Sequence, residues 1–98
     1  VYICAYTINI RYEWDEAKRE ANLAKHDVDF KAASNFSWPQ SVTIPDRRKD
    51  YREKRFVSLA PIHGRLHAMV WTPRNEGIRI IGLCKANRRE EMYYEEKT

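Results

Sequence analysis

Apolar and polar side chains alternate from Ile8 to Trp14 (Ile-Asn-Ile-Arg-Tyr-Glu-Trp), which is the period of a half-buried strand. Asp15 follows with a side chain suited to an N-cap, and Glu16 suits the positive end of a helix dipole. The spacing then predicts a short amphipathic helix over Glu16 to Lys25, with Ala17, Ala21 and Ala24 on one inward stripe extended by Leu23 and Val28. Asp27 stands where a left-handed residue ends such a helix. Asp29 can cap a second short helix that turns Phe30, Ala33 and Phe36 inward, and Trp38-Pro39 should close it. From Ser41 the period shortens: strands are predicted at Ser41 to Ile44, Arg55 to Ala60, Arg65 to Thr72 and Ile78 to Cys84, with turns at Pro61 to Gly64 and Pro73 to Gly77. Short turns demand antiparallel pairing. Asn87 and Glu90 have the spacing of a capping box, opening a last helix through Tyr93 and Tyr94. The order β-α-α-β-β-β-β-α describes one α+β domain over residues 1–98: an antiparallel meander, an N-terminal helix pair and a C-terminal helix, with helices on one face.

Composition narrows the function classes. The 98 residues are 33% charged and 43% hydrophobic, a globular balance with room for one core. Cys4 and Cys84 are far apart and belong to no Cys/His cluster, so neither a disulfide scaffold nor a zinc module is expected, and a reducing cytoplasm is the default compartment. No apolar run is long enough to span a bilayer, so no membrane partner is expected. The opening VYICAYTINI lacks the basic start and small-residue cleavage site of a secretory signal. The formal charge is +4, and Asp46 to Arg55 holds six cations against three anions. That segment is either a solvated loop or a rim for phosphate, which arginine can chelate in a fork. No glycine-rich phosphate loop or clustered metal-ligand set is present, so no metal or other cofactor is expected.

Beyond these local patterns, the chain resembles one family. Tyr12-Glu13-Trp14-Asp15, Lys18, Asn22 and Lys25-His26-Asp27-Val28-Asp29-Phe30 resemble the opening F-E-W-D-x-x-K-x-x-x-N-x-x-K-H-G-V-x-F of the BrnT toxins. Arg55-Phe56-Val57, Trp71-Thr72-Pro73-Arg74, Arg79-Ile80-Ile81 and Lys85-Ala86-Asn87-Arg88-Arg89-Glu90 resemble the family's later motifs, in order. Asp27 replaces the family glycine, Gly82 a serine and Cys84 an arginine. Residues 1–10 precede the usual family start as an N-terminal extension. The resemblance implies a RelE-like fold and the toxin of a type II toxin–antitoxin system: a ribonuclease that blocks translation. It also implies neutralisation by a BrnA-type antitoxin, a ribbon-helix-helix protein through which operator DNA would be bound.

Metal-free RNA cleavage needs a base for the 2′-hydroxyl, cations for the phosphate and an acid for the leaving oxygen. Arg55 and Arg79, which match family positions, are the candidates for charge stabilisation; the bland alternative pairs them with Glu53 and Glu76. Lys85 joins them as a strand cation. His67 lies on a predicted strand face with Arg65, Met69 and Trp71 and is the candidate base, or else a strand histidine without a task. His26 reads as structural and His63 as part of a turn. Lys18, Arg47, Arg48, Arg52, Arg88 and Arg89 are candidates for holding the RNA backbone; Lys18 could equally pair with Asp15 or Glu16. Trp71, Tyr93 and Tyr94 suit either base stacking or packing, and the last helix either RNA or the antitoxin. With Cys84 in the arginine position, the rival reading is a catalytically impaired antitoxin-binding module.

Overall fold

The computed structural model describes residues 10–98, so Ile8 and Asn9 of the predicted first strand, and the extension before residue 10, lie outside it. The chain forms β1 (Arg11–Glu13), α1 (Glu16–His26), β2 (Val42–Pro45), β3 (Phe56–Ile62), β4 (Arg65–Arg74), β5 (Gly77–Lys85) and α2 (Arg88–Lys97). Local capping chemistry sets the helix ends. Asp15 Oδ1 accepts from the Ala17 amide, and Asp27 closes α1 at φ 58° with its amide donating to Leu23. Asn87 and Glu90 form the reciprocal capping box of α2. Asp29 caps Phe30–Asn35, but this segment winds as a 3₁₀ helix, and Trp38-Pro39 opens a further 3₁₀ turn rather than ending the first.

The sheet order is β1-β5-β4-β3-β2. Strands β2 to β5 form the expected antiparallel meander. His63 and Gly64, both at positive φ, make a two-residue turn between the paired Ile62 and Arg65, as the twist of a tight hairpin requires. The sheet is nevertheless mixed, because β1 lies parallel to β5 in the register Arg11↔Gly77, Tyr12↔Ile78 and Glu13↔Arg79. This approach is so close that a Cβ on Gly77 would stand 2.1 Å from the Arg11 carbonyl oxygen.

One face of the sheet carries the core: Ala60, Ile62, Met69, Ile78, Ile80 and Leu83 pack with Val28, Phe30, Ala33 and Phe36. Ile80 and Leu83 are three residues apart and would face opposite sides of a regular strand. The pairing slips at this point: Trp71 stands opposite Ile80 and Val70 opposite Gly82. The extra residue, Ile81, lets Ile80 and Leu83 both face inward.

Two expectations about the helices are corrected. The alanine stripe of α1 faces solvent, since Ala17, Ala21 and Ala24 are exposed and no residue of α1 is buried. Polar contacts seat the helix instead. Arg19 bonds Glu16 and Asp29, and the Asn22 carboxamide donates to the Leu83 carbonyl at 2.7 Å while accepting from the Leu83 amide at 3.3 Å. Asn22 thus satisfies the edge of β5 beyond the end of β1. Nor do all helices share one face. Arg89, Glu90 and Tyr93 of α2 line a groove of about 300 Å³ with Ile44, Val57 and Leu59, whose side chains alternate away from the core.

His67 is buried on the core face, opposite Ala60 and Lys85 in the ladders. Its Nδ1–H donates to the Arg65 carbonyl at 2.7 Å, leaving the lone pair of the neutral ring on Nε2. Burial, with Arg65 and Lys85 nearby, holds its pKa below the usual histidine value.

Two outcomes are expected. Gly77→Ala should force β1 away from β5 and lower stability by about 1–3 kcal/mol, read as a fall in urea midpoint; an unchanged midpoint would contradict the contact. Because the folded His67 ring resists protonation, the unfolded chain binds the additional proton, and stability should fall as pH drops through about 6.5. Urea midpoints between pH 7 and pH 5 should therefore fall more steeply for the natural chain than for His67→Gln.

Candidate functional site

At the end of the sheet where β1 joins, three strands and a loop bring arginine and glutamate side chains into one alternating chain of charges. Arg79 Nε donates to Glu13 Oε2 at 2.9 Å. Arg74 Nε lies 3.5 Å from the same oxygen, and its Nη1 lies 3.7 Å from Glu53 Oε1. Glu53 Oε2 accepts from Arg55 Nε at 3.2 Å. The backbone dictates this gathering. Thr72 pairs with Arg79 across β4 and β5, the Thr72 hydroxyl donates to the Lys54 carbonyl at 2.7 Å, and Arg55 directly precedes β3. Alternation places Arg74 and Arg79 on the face away from the core. Three guanidiniums against two carboxylates leave one positive charge, and the side chains of Arg74 and Arg79 remain 40% and 34% exposed.

Arg55 extends this chain toward the basic loop. Its guanidinium stacks on Tyr51, 4.1 Å from the ring centroid, a cation–π geometry. Arg55 and Tyr51 share an open hollow of about 570 Å³ with Arg47, Lys49, Lys54 and Phe56. Arg48 turns to Asp46 instead: its Nε and Nη2 bond the two carboxylate oxygens at 2.8 Å each. This pairing holds Asp46 below the usual carboxylate range and raises Arg48. Arg47 and Arg52 are exposed. Arg88 lies 3.9 Å from Glu91, and Arg89 lines the α2 groove. Lys18 is exposed on α1.

The four groups proposed for catalysis from the sequence therefore fall into two sets. Arg55 and Arg79 are joined through Glu53, Arg74 and Glu13. His67 and Lys85 face each other five residues farther along β4, about 17 Å away at ~3.4 Å per residue, and His67 is turned into the core. All four cannot meet one phosphate, because strand length separates them. Arg79 pairs with Glu13 and not with Glu76, which instead bonds Arg11 at 2.8 Å; the Arg55–Glu53 pair is as expected. Cys84 stands opposite Ala68, four residues from the Thr72–Arg79 pair, and burial raises its thiol pKa.

Arg74, Glu13 and Tyr51 enter the site without having been singled out for it by sequence. Arg74 and Glu13 lie within the motifs shared with the family, their only signal in the sequence; their meeting depends on the parallel seat of β1. Trp71 is structural, its indole N–H donating to Ser58 at 2.8 Å between Trp38 and Phe56. The Tyr94 hydroxyl donates to the Gln40 carbonyl at 2.6 Å. Among the described residues no three His, Cys, Asp or Glu side chains gather closely enough to hold a metal ion, and no helix is long and apolar enough to cross a membrane.

No curated protein sequence matches the chain significantly. The family described as "Ribonuclease toxin, BrnT, of type II toxin-antitoxin system" matches residues 14–90, a span that contains Arg55, Arg74, Arg79 and Glu53, with Glu13 immediately before it. The chain belongs to the BrnT family of type II toxin–antitoxin ribonuclease toxins.

Proposed function

We propose that this chain cleaves RNA without a metal ion and that Arg55, Arg74 and Arg79 form the phosphate-binding part of its active site. One observation carries the proposal: three guanidiniums, one from the residue before β3 and the others from β4 and β5, are held within a single chain of ion pairs at the end of the sheet where β1 joins. In the reaction the 2′-hydroxyl loses its proton, its oxygen bonds to phosphorus, and the bond from phosphorus to the 5′ oxygen breaks. The 5′ oxygen takes a proton from water, leaving a 2′,3′-cyclic phosphate and a 5′-hydroxyl end. Charge grows on the nonbridging oxygens as phosphorus becomes five-coordinate, and arginines already in place stabilise it without reorganising. Arg47 lines the Arg55 hollow, where four cations stand with the carboxylates of Asp46, Asp50 and Glu53, and from there would hold the RNA backbone.

The RelE class of ribonuclease toxins is the setting in which this reading belongs, and the cytoplasm, where RNA and antitoxin meet, is the place of action. A BrnA-type ribbon-helix-helix antitoxin would neutralise the chain and carry the complex to operator DNA. The binding-only alternative rested on Cys84. Position 84 is about 14 Å along the strands from Arg79 at ~3.4 Å per residue, so the arginine cluster does not include it, and its change leaves the cluster whole.

The purified chain, freed of antitoxin, should cut an end-labelled RNA in the presence of EDTA and leave the all-DNA version intact. Arg79→Ala and Arg74→Ala should each slow cleavage by about 10²–10³-fold, the loss typical when one charge-stabilising donor is removed. Intact RNA with the natural chain would overturn the proposal.

A further inference from the structure

Within this site, and resting on the ribonuclease reading, we infer that Glu13 is the base that takes the proton from the 2′-hydroxyl. A base must lie within reach of the arginines that hold the phosphate. His67 fails that condition, being buried on the other face with its Nδ1–H committed to a carbonyl. Two carboxylates meet it, and their oxygens differ. Glu53 faces an arginine through each: Oε2 accepts from Arg55, and Oε1 lies 3.7 Å from Arg74 Nη1. Glu13 meets both of its arginines through Oε2, and among the described residues Oε1 has no hydrogen-bond donor. Its side chain is 49% exposed. With Arg74 it lines an open hollow of about 410 Å³ between β1 and the β4–β5 turn, room for a ribose beside Arg74.

The arrangement couples proton transfer to charge stabilisation. At rest the Glu13 carboxylate offsets the charge of Arg79 and Arg74. When Oε1 takes the proton of the 2′-hydroxyl, that negative charge disappears from Glu13 as it grows on the phosphate oxygens. The guanidiniums then bond the phosphate more strongly while hardly moving. Water supplies the proton for the 5′ oxygen, and the hydroxide left behind takes the proton from Glu13, restoring the carboxylate.

The test compares Glu13→Gln, which keeps an oxygen for the arginines but cannot accept the proton, with the natural chain. Single-turnover cleavage is measured from about pH 3 to pH 8, a window that reaches below the ordinary carboxylate range, and affinity with an RNA carrying a single 2′-deoxy substitution at the cut site. The expected result is a ~10²–10⁴-fold slower cleavage, no fall in rate on the acid side, and affinity within about twofold. Glu13→Asp should keep the acid-side fall at reduced rate. If Glu13→Gln cuts within about threefold of the natural chain with the same acid-side fall, the inference is overturned and the ribonuclease reading stands. Loss of cleavage together with affinity and melting temperature would also overturn it, showing that Glu13 only holds β1 in place. If the natural chain leaves RNA intact, the ribonuclease reading fails and the inference with it.

Discussion

Gly77 has no side chain, and for that reason β1 can lie against β5. Any Cβ at this position would collide with the Arg11 backbone, so the three-residue parallel ladder depends on it. From that ladder comes the Glu13↔Arg79 register, and from the register the carboxylate that joins Arg79 to Arg74. The opposite side of the strand is fixed by the irregularity at Ile81, which lets Ile80 and Leu83 both enter the core. One close approach and one additional residue thus separate a buried apolar face from an outward face that collects cations.

Exposed ion pairs contribute little to stability, typically below about 1 kcal/mol each. The Arg79–Glu13–Arg74–Glu53–Arg55 chain is better understood through what it does to its arginines. Each guanidinium is restrained by a carboxylate, so part of the side-chain entropy lost on gripping a phosphate has been given up already. The carboxylates also prevent three neighbouring cations from repelling one another in the free protein. In the proposed reaction the same pairs release their arginines to the substrate in proportion to the charge it develops.

Legibility from sequence followed the range of the interaction. Asp15, Asp27, Asp29 and the Asn87–Glu90 box act within four residues, and each is found in the role its local spacing gives it. The meander strands were legible through alternation and turn residues, although β3, β4 and β5 run farther into their turns than expected. The alanine stripe misled because periodicity says which residues share a face, not whether anything covers it; Arg19 and Asn22 seat α1 instead. In β5, strict alternation fails at Ile81. The site was half visible: Arg55 and Arg79 were singled out, but Glu13 and Arg79 are 66 residues apart in sequence, and no local pattern announces that they touch. Periodicity put His67 on the same face as Met69 and Trp71; it did not reveal that this face is the core.

Whether the three arginines grip the phosphate is read most directly by NMR of the arginine Nε–Hε groups while the chain is titrated with an RNA made uncleavable by a single 2′-deoxy substitution. Saturating shifts are expected at Arg55, Arg74 and Arg79, weakened by added salt, with the Arg65 group beside His67 and Lys85 unmoved. Saturating shifts confined to Arg65, with Arg74 and Arg79 unchanged, would place the phosphate at the other end of the sheet and contradict that grip.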